Sequence, residues 1–413
     1  MSTRKDWGLS QKIMFVIAMV ILYRIGVSIP IPFVNSEAFA EQLGKPALDT
    51  LLYATTMMGG SLSQLGMMSL GVLPFITASI IFQLLKVISP KINEMYKSDM
   101  ERKKITQWTR YLAVVLSITQ SVGFVVGAPA LMGFSVFTTT SPWAIGMGIF
   151  TMTIGAVLAM RIGEEITLRG IGNGTSLLIF TSILATIPAM IAQTYRLEGL
   201  NTSLIFVGLL VLVFAFIMFV EKSEYRIPVT YTKSGHNVSR STQASMLPVK
   251  VAIAGVLPVI FASTISMLPT MVSQFYSKDW VIDLAAKMEF GSPWFIGVSI
   301  VLTILFTFFS IKMVFDIERI TTELRSQGGF IDGKRPGKET QDYLKKIGNQ
   351  MGVLDAVYLS IISAGTFIAM PMLGITNNSF AATSIVILGT VVVTFLAAVD
   401  SERFKAKHES MLY

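Results

Sequence analysis

The sequence predicts an all-α membrane protein, with ten transmembrane helices in two inverted five-helix halves and a re-entrant helix in the first half. Three observations carry that expectation: an apolar composition, a one-sided distribution of basic residues, and a nine-residue segment that occurs twice. Of 413 residues, 52% are hydrophobic and 14% charged, against roughly 25% charged in a soluble globular chain. A chain so poor in charge is expected in lipid.

Composition also restricts the chemistry. Without cysteine there is no disulfide framework or thiolate metal site, and His236 and His408 stand too far apart in sequence to form a zinc site alone. No metal and no cofactor is expected. The net charge of +8 could suggest nucleic acid, but the basic residues fall between apolar segments, as lipid topology dictates. Met1 to Gly26 has the basic start and apolar run of a secretory leader, yet no small-residue cleavage site follows and similar segments recur. It is read as a first transmembrane helix with a cytosolic N-terminus.

A span needs about 20 predominantly apolar residues. Ten stretches qualify, at 13–32, 70–88, 107–127, 143–161, 173–193, 203–221, 248–273, 294–313, 349–372 and 378–398. Each is read as a helix, because a lone segment in lipid must satisfy its own backbone hydrogen bonds. The halves are then 1–195, with helices one to five, and 196–413, with helices six to ten and cytosolic loops at 221–250 and 312–346. With the N-terminus inside, 28 of the 33 Lys and Arg lie on the cytosolic side, against Lys45, Arg196, Lys278 and Lys287 outside and Arg24 within the first span. That split follows the positive-inside rule and puts both termini in the cytosol.

The 36 residues between Asp49 and Lys86 carry no charge. They are too many for one span and too few for two spans and a turn. Gly59 and Gly60 interrupt them, so Leu51 to Ser69 is expected to dip in from outside as a half-helix, which requires protein or a watery cavity around it.

GVLPFITAS at Gly71 to Ser79 reappears as GVLPVIFAS at Gly255 to Ser263, identical at seven of nine positions. The two copies run in opposite directions on this map, the mark of an inverted duplication. Pro74 and Pro258 each remove a helix hydrogen bond, so both helices are expected to bend near mid-membrane, with the functional site at the repeat interface. Ionisable residues in the spans reduce to Arg24, expected to snorkel or cap, and Asp355, expected at the cytosolic interface. A central charge costs about 2.5–3.5 kcal/mol on insertion scales, and no proton or sodium relay is in sight.

Three function classes compete: a passive protein channel, a small-solute secondary transporter and an intramembrane enzyme. The transporter would place a buried charge beside the proline-bearing helices. The enzyme would need a nucleophile and base, but there is no GxSxG, HExxH or intramembrane carboxylate pair, and GKRPGK at Gly333 to Lys338 lacks the Walker spacing. No enzymatic activity is expected, and energy must come from a partner.

Several motifs resemble the SecY family along the whole chain: LGVLPFITASIIFQLL at Leu70 to Leu85, RGIGNGTSLLIF at Arg169 to Phe180, YRIPVTY at Tyr225 to Tyr231 and LPVKVAIAGVLPVIFAS at Leu247 to Ser263. GGFIDGKRPGKET at Gly328 to Thr340 and FAATSIVI at Phe380 to Ile387 continue the likeness. The resemblance implies a clamshell of two halves, a protein-conducting channel whose hourglass pore narrows at an apolar ring. Motif by motif, the ring falls on Val72, Ile76, Thr175, Ile179, Ile260 and Ile387. Such a ring is stiff, apolar and able to dewet, although Thr175 departs from the usual apolar occupant.

By the same resemblance Leu51 to Ser69 is a plug, including Met57, Met58, Gly59, Gly60 and Ser61, with Met67 and Met68 able to repack beside it. A lateral gate between spans two and three and spans seven and eight would be bridged by Thr77, Gln83, Gln120, Ser263 and Thr264. Arg226, Lys334 and Arg335, on the cytosolic loops, would dock a SecA ATPase and the ribosome. The implied partners also include SecE-like and SecG-like membrane subunits, signal peptides, unfolded preproteins and lipid, with no nucleic acid but ribosomal RNA. The implied location is a bacterial cell membrane. An accessory SecY paralogue dedicated to a few exported adhesins is the alternative, suggested by Ala381 and Ala382, Asp332, Ser98 to Lys104 and a short tail where the housekeeping pattern differs.

Overall fold

The computed structural model describes residues 8–34, 65–132, 141–231, 244–255, 257–273, 278–288, 292–326, 328–372 and 381–409. Its helices are α1 (Leu9–Ser28), α2 (Leu73–Ile88), α3 (Pro90–Lys97), α4 (Asp99–Met132), α5 (Pro142–Arg169), α6 (Gly174–Glu221), α7 (Leu257–Ser273), α8 (Asp279–Lys287), α9 (Pro293–Val314), α10 (Ile317–Ser326), α11 (Lys338–Met372) and α12 (Ala381–Glu409). Every expected span maps onto one of them. The fifth and sixth share α6, which is broken at Gly199, where φ is +86°.

Among the described residues, six helices are each long and apolar enough to cross a membrane. The second and seventh spans are shorter, with 16 residues in α2 and 17 in α7, because each helix starts late. The seventh span begins at Leu257 rather than 248, since 248–250 ends a strand and 251–255 is irregular.

Contacts divide the chain into two compact units. The first comprises Met1–Leu197, Pro269–Ala286 and Thr394–Tyr413, and the second Glu198–Leu268 and Lys287–Val393. In the first unit α2 packs on α4, α4 on α5, and α1 on α5. Small residues allow this: α5 buries Gly148, Gly155, Ala156, Ala159 and Gly163, and in lipid such residues let helix backbones approach where no hydrophobic effect pulls them together. Ile31, Leu65, Leu70, Phe124, Met152 and Ala156 form one cluster of this core. Ionic contacts lie near the helix ends expected in the cytosol. Arg110 Nε meets Glu164 Oε1 at 2.6 Å between α4 and α5, and Lys12 pairs with Glu402, which brings the start of α1 beside the end of α12.

The α5–α6 junction shows why RGIGNG has its glycines. Gly170 caps α5, its N–H donating to the Ile166 carbonyl at 2.8 Å. Gly172 takes φ +75°, a conformation that glycine adopts freely. The Gly174 N–H donates to Thr167 Oγ1 at 2.9 Å, and a Cβ at Gly174 would run into the Gly163 carbonyl.

In the second unit α9 packs along α11. α7 is fixed to α9 by the Ser266–Ser299 hydroxyl pair at 3.0 Å and by the edge-to-face rings of Phe261 and Phe306, 5.5 Å apart. The sequence contains a second echo. Ser141-Pro142-Trp143 and Ser292-Pro293-Trp294 begin α5 and α9 with the same device: a capping serine, a proline in the first turn and an exposed tryptophan. Both starts are expected outside, where tryptophan favours the membrane–water interface.

To the helices the structure adds a three-stranded sheet of order β2-β1-β3, formed by β1 (Glu224–Tyr231), β2 (Ala244–Lys250) and β3 (Gly329–Ile331). Along β1, Ile227 and Val229 are buried while Arg226 and Pro228 are exposed, the period of two expected of a half-covered strand. Pro228 is tolerated because β3 pairs only with Val229 to Tyr231, so no β3 carbonyl faces its missing N–H.

Gly174→Ala should destabilise the protein by about 1–3 kcal/mol through overpacking against α5. Gly208→Ala, with open space around the new methyl, should be close to neutral. Thermal unfolding of the two purified variants checks the contrast.

Candidate functional site

The repeated GVLP segment has the same local structure both times. Gly71 has φ +53° and Gly255 φ +65°, and a helix starts two residues later, at Leu73 and at Leu257. Pro74 and Pro258 are therefore the second residues of their helices. The expected mid-helix bends are not there. A first-turn N–H has no acceptor within its own helix, so proline there loses no bond and its fixed φ suits helix initiation. Interior prolines do occur, at Pro188 in α6 and Pro269 in α7.

Ile76 and Ile260 are each the fourth residue of their helices, and both are buried. Val72 precedes α2 and is fully buried. The other proposed ring positions are Ile179, buried on α6, and Ile387, buried on α12. Thr175 is half-buried at the start of α6, and its hydroxyl lies toward Gly163 of α5. Val72, Ile76, Thr175 and Ile179 belong to the first unit, Ile260 and Ile387 to the second.

Helices that begin late leave irregular backbone ahead of them, and each unit satisfies it differently. In the first, residues 65–72 form turns pinned against the end of α1: the Ile31 N–H donates to Leu65 O at 2.9 Å and the Met67 N–H to Ile29 O at 2.7 Å. A Cβ at Gly66 would strike the Val27 carbonyl, and one at Gly155 the Met67 carbonyl. Met68 packs over Gly26. These turns include the last five residues of the expected half-helix. Met57, Met58, Gly59, Gly60 and Ser61 lie outside the described residues.

In the second unit the task falls to Asp355. Rather than sitting at the interface, it is 0% exposed, and its Oδ2 accepts the Ala254 N–H at 2.8 Å, just before α7. No pattern in the sequence shows that the backbone at 251–255 is non-helical and needs an acceptor. Glu221, counted with the cytosolic loop, is also buried at the end of α6. The transporter alternative called for a buried charge here, and Asp355 is a buried ionisable residue. Its partner, however, is the protein's own backbone.

Of the expected gate residues, Thr77 donates its hydroxyl to Leu73 O in its own helix at 3.0 Å. Gln120 Oε1 is buried without a hydrogen-bond partner among the described residues. Gln83 is half-buried. The side chains of Ser263 and Thr264 lie outside the described residues.

The sheet unites the two loops at 221–250 and 312–346. β1 carries Arg226 and pairs with β3, after which a turn carries Lys334 and Arg335 into α11. Arg226 and Arg335 are exposed, and Lys334 Nζ stands 5.7 Å from the centre of the Tyr343 ring. The turn is internally tied: the Arg335 N–H donates to Glu339 Oε2 at 3.1 Å, and Thr340 Oγ1 donates to Arg335 O at 2.9 Å. Ile227, Val229, Val249, Leu324, Ile331 and Leu344 form the core beneath. The alternation of Tyr225 to Tyr231 was the available signal for this sheet.

The SecY family model matches residues 66–396. The protein translocase subunit SecY of Escherichia coli is 33% identical over 418 residues, covering 98% of this chain and 94% of that protein. Its counterpart in Corynebacterium glutamicum is 34% identical over 443 residues, covering 99% and 98%. Among solved structures, that of a protein conducting channel superposes with a TM-score of 0.68 at 16% identity, over 97% of this chain and 94% of that one. Canine Sec61 in a ribosome–channel complex from the endoplasmic reticulum gives 0.64 at 16% identity, over 97% and 94%. None of these matches favours the accessory-paralogue or transporter alternatives. The agreement runs from the first apolar helix to the last, and the chain belongs to the SecY family of multi-pass membrane proteins.

Proposed function

We propose that this chain is the protein-conducting channel of a Sec translocase, passing unfolded, signal-bearing polypeptides across a bacterial cell membrane and releasing hydrophobic segments sideways into lipid. The observation that carries this reading is the twin helix start, which sets a buried isoleucine at the fourth position of α2 and of α7. With Val72, Thr175, Ile179 and Ile387 these form the constriction. Apolar, largely β-branched side chains close it to water without recognising any one substrate sequence. Leu51 to Ser69 is the plug, and its exit is held by the pinned turns at 65–72.

Both termini lie in the cytosol on this reading. The split of basic residues supports that, as does the Lys12–Glu402 pair, which places the two terminal helices' ends on one side. Arg226, Lys334 and Arg335, gathered by the sheet, dock a SecA-type motor and the ribosome. SecE-like and SecG-like subunits complete the assembly.

Ile260→Asn should weaken the seal and raise export of a precursor with a defective signal sequence on the order of tenfold, since a buried amide without a partner is disfavoured by about 1–3 kcal/mol. Unchanged export of that precursor would remove Ile260 from the constriction. Arg335→Glu should reduce SecA-driven export into reconstituted vesicles severalfold while leaving the protein folded, because the Arg335 side chain is exposed. Normal transport would take Arg335 out of the motor site.

A further inference from the structure

We propose that Asp355 is a positioning residue for α7: its carboxyl group holds the Ala254 N–H in the irregular backbone before Gly255 and thereby sets where the helix bearing Ile260 begins. This rests on the reading of Ile260 as part of the constriction.

The inference comes from an excess of burial over apparent need. Asp355 is an ionisable residue on α11 with 0% exposure, in a chain otherwise sparing of charge within its spans. Such a residue is disfavoured in lipid unless something uses it. What it meets is backbone. Its Oδ2 accepts from the Ala254 N–H at 2.8 Å, while Oδ1 has no hydrogen-bond partner among the described residues. That donor lies in the non-helical stretch before Gly255, where the Val251 N–H donates to Ser223 O at 3.0 Å and the Ile253 N–H to Val251 O at 3.2 Å, and the Ala254 N–H turns to Asp355. Ala252 and Ala254 are themselves buried, so water is a poor substitute.

From Ala254 to Ile260 is six residues, through a left-handed glycine and a proline that allow little slack. An anchor at 254 therefore sets the register of Ile260. In the first unit the equivalent anchoring is done by backbone pairing with the segment just after α1, at Ile29 and Ile31. The two halves reach the same helix start by different means, and the side-chain version can be removed without cutting the main chain.

The test uses the complete translocase. Asp355→Ala should leave export of a normal precursor little changed, raise export of a defective-signal precursor severalfold, and speed amide hydrogen exchange at 254–257 by about tenfold, the effect of losing one hydrogen bond. Asp355→Asn keeps a neutral acceptor and should fall between parent and Ala in both readouts. If the Ala variant does not accumulate, the Asn variant decides: intermediate exchange and selectivity support the anchor, and parental values for both overturn it. Ile260→Asn is the internal reference. Loss of selectivity there with none in Asp355→Ala discards the anchor alone, whereas no change in either discards the constriction as well.

Discussion

Backbone amides inside a membrane must find partners within the protein, and two of this chain's spans begin in a way that leaves several amides without helical ones. Gly71 and Gly255 turn left-handed, a leucine and a proline follow, and only then does a helix start. Everything distinctive about the two units answers that interruption. The first lays residues 65–72 against α1 in a short backbone pairing, and three glycines, Gly26, Gly66 and Gly155, keep the contact close enough. The second buries a carboxylate. A continuous helix would need neither.

The chemistry of the proposed constriction follows from what a conduit for arbitrary polypeptides must avoid. Charged or hydrogen-bonding linings would bind some sequences and stall them; a ring of valine and isoleucine gives each passing side chain much the same environment. β-Branching adds stiffness at χ1, so the closed ring keeps its shape without polar latches. Thr175 is consistent with that logic in one respect. Its hydroxyl lies toward Gly163 of α5.

Much of this was legible before any coordinates. Long apolar runs and the one-sided basic residues located the spans, because burial in lipid acts on every residue of a helix and so leaves a strong signal. The GVLP repeat marked two related helix starts, at Leu73 and Leu257. What the repeat meant locally was misread: Pro74 and Pro258 looked like kinks, since proline is expected to bend a helix, and the left-handed glycine that ends the preceding segment carries no separate mark in an apolar stretch. The sheet was missed because its strands come from loops nearly a hundred residues apart, and pairing between β1 and β3 is a tertiary fact. Asp355 was placed at the interface for a related reason. Its partner, the Ala254 amide, lies 101 residues away in sequence, and only the fold brings them together.

The most direct measurement is photocrosslinking from Ile76 and Ile260 to a preprotein arrested halfway through the membrane. If the paired helix starts line the conduit, both positions label the arrested chain and neither labels lipid to a comparable extent. Labelling of lipid alone from either position would show that the twin starts face outward, and that the polypeptide takes another path.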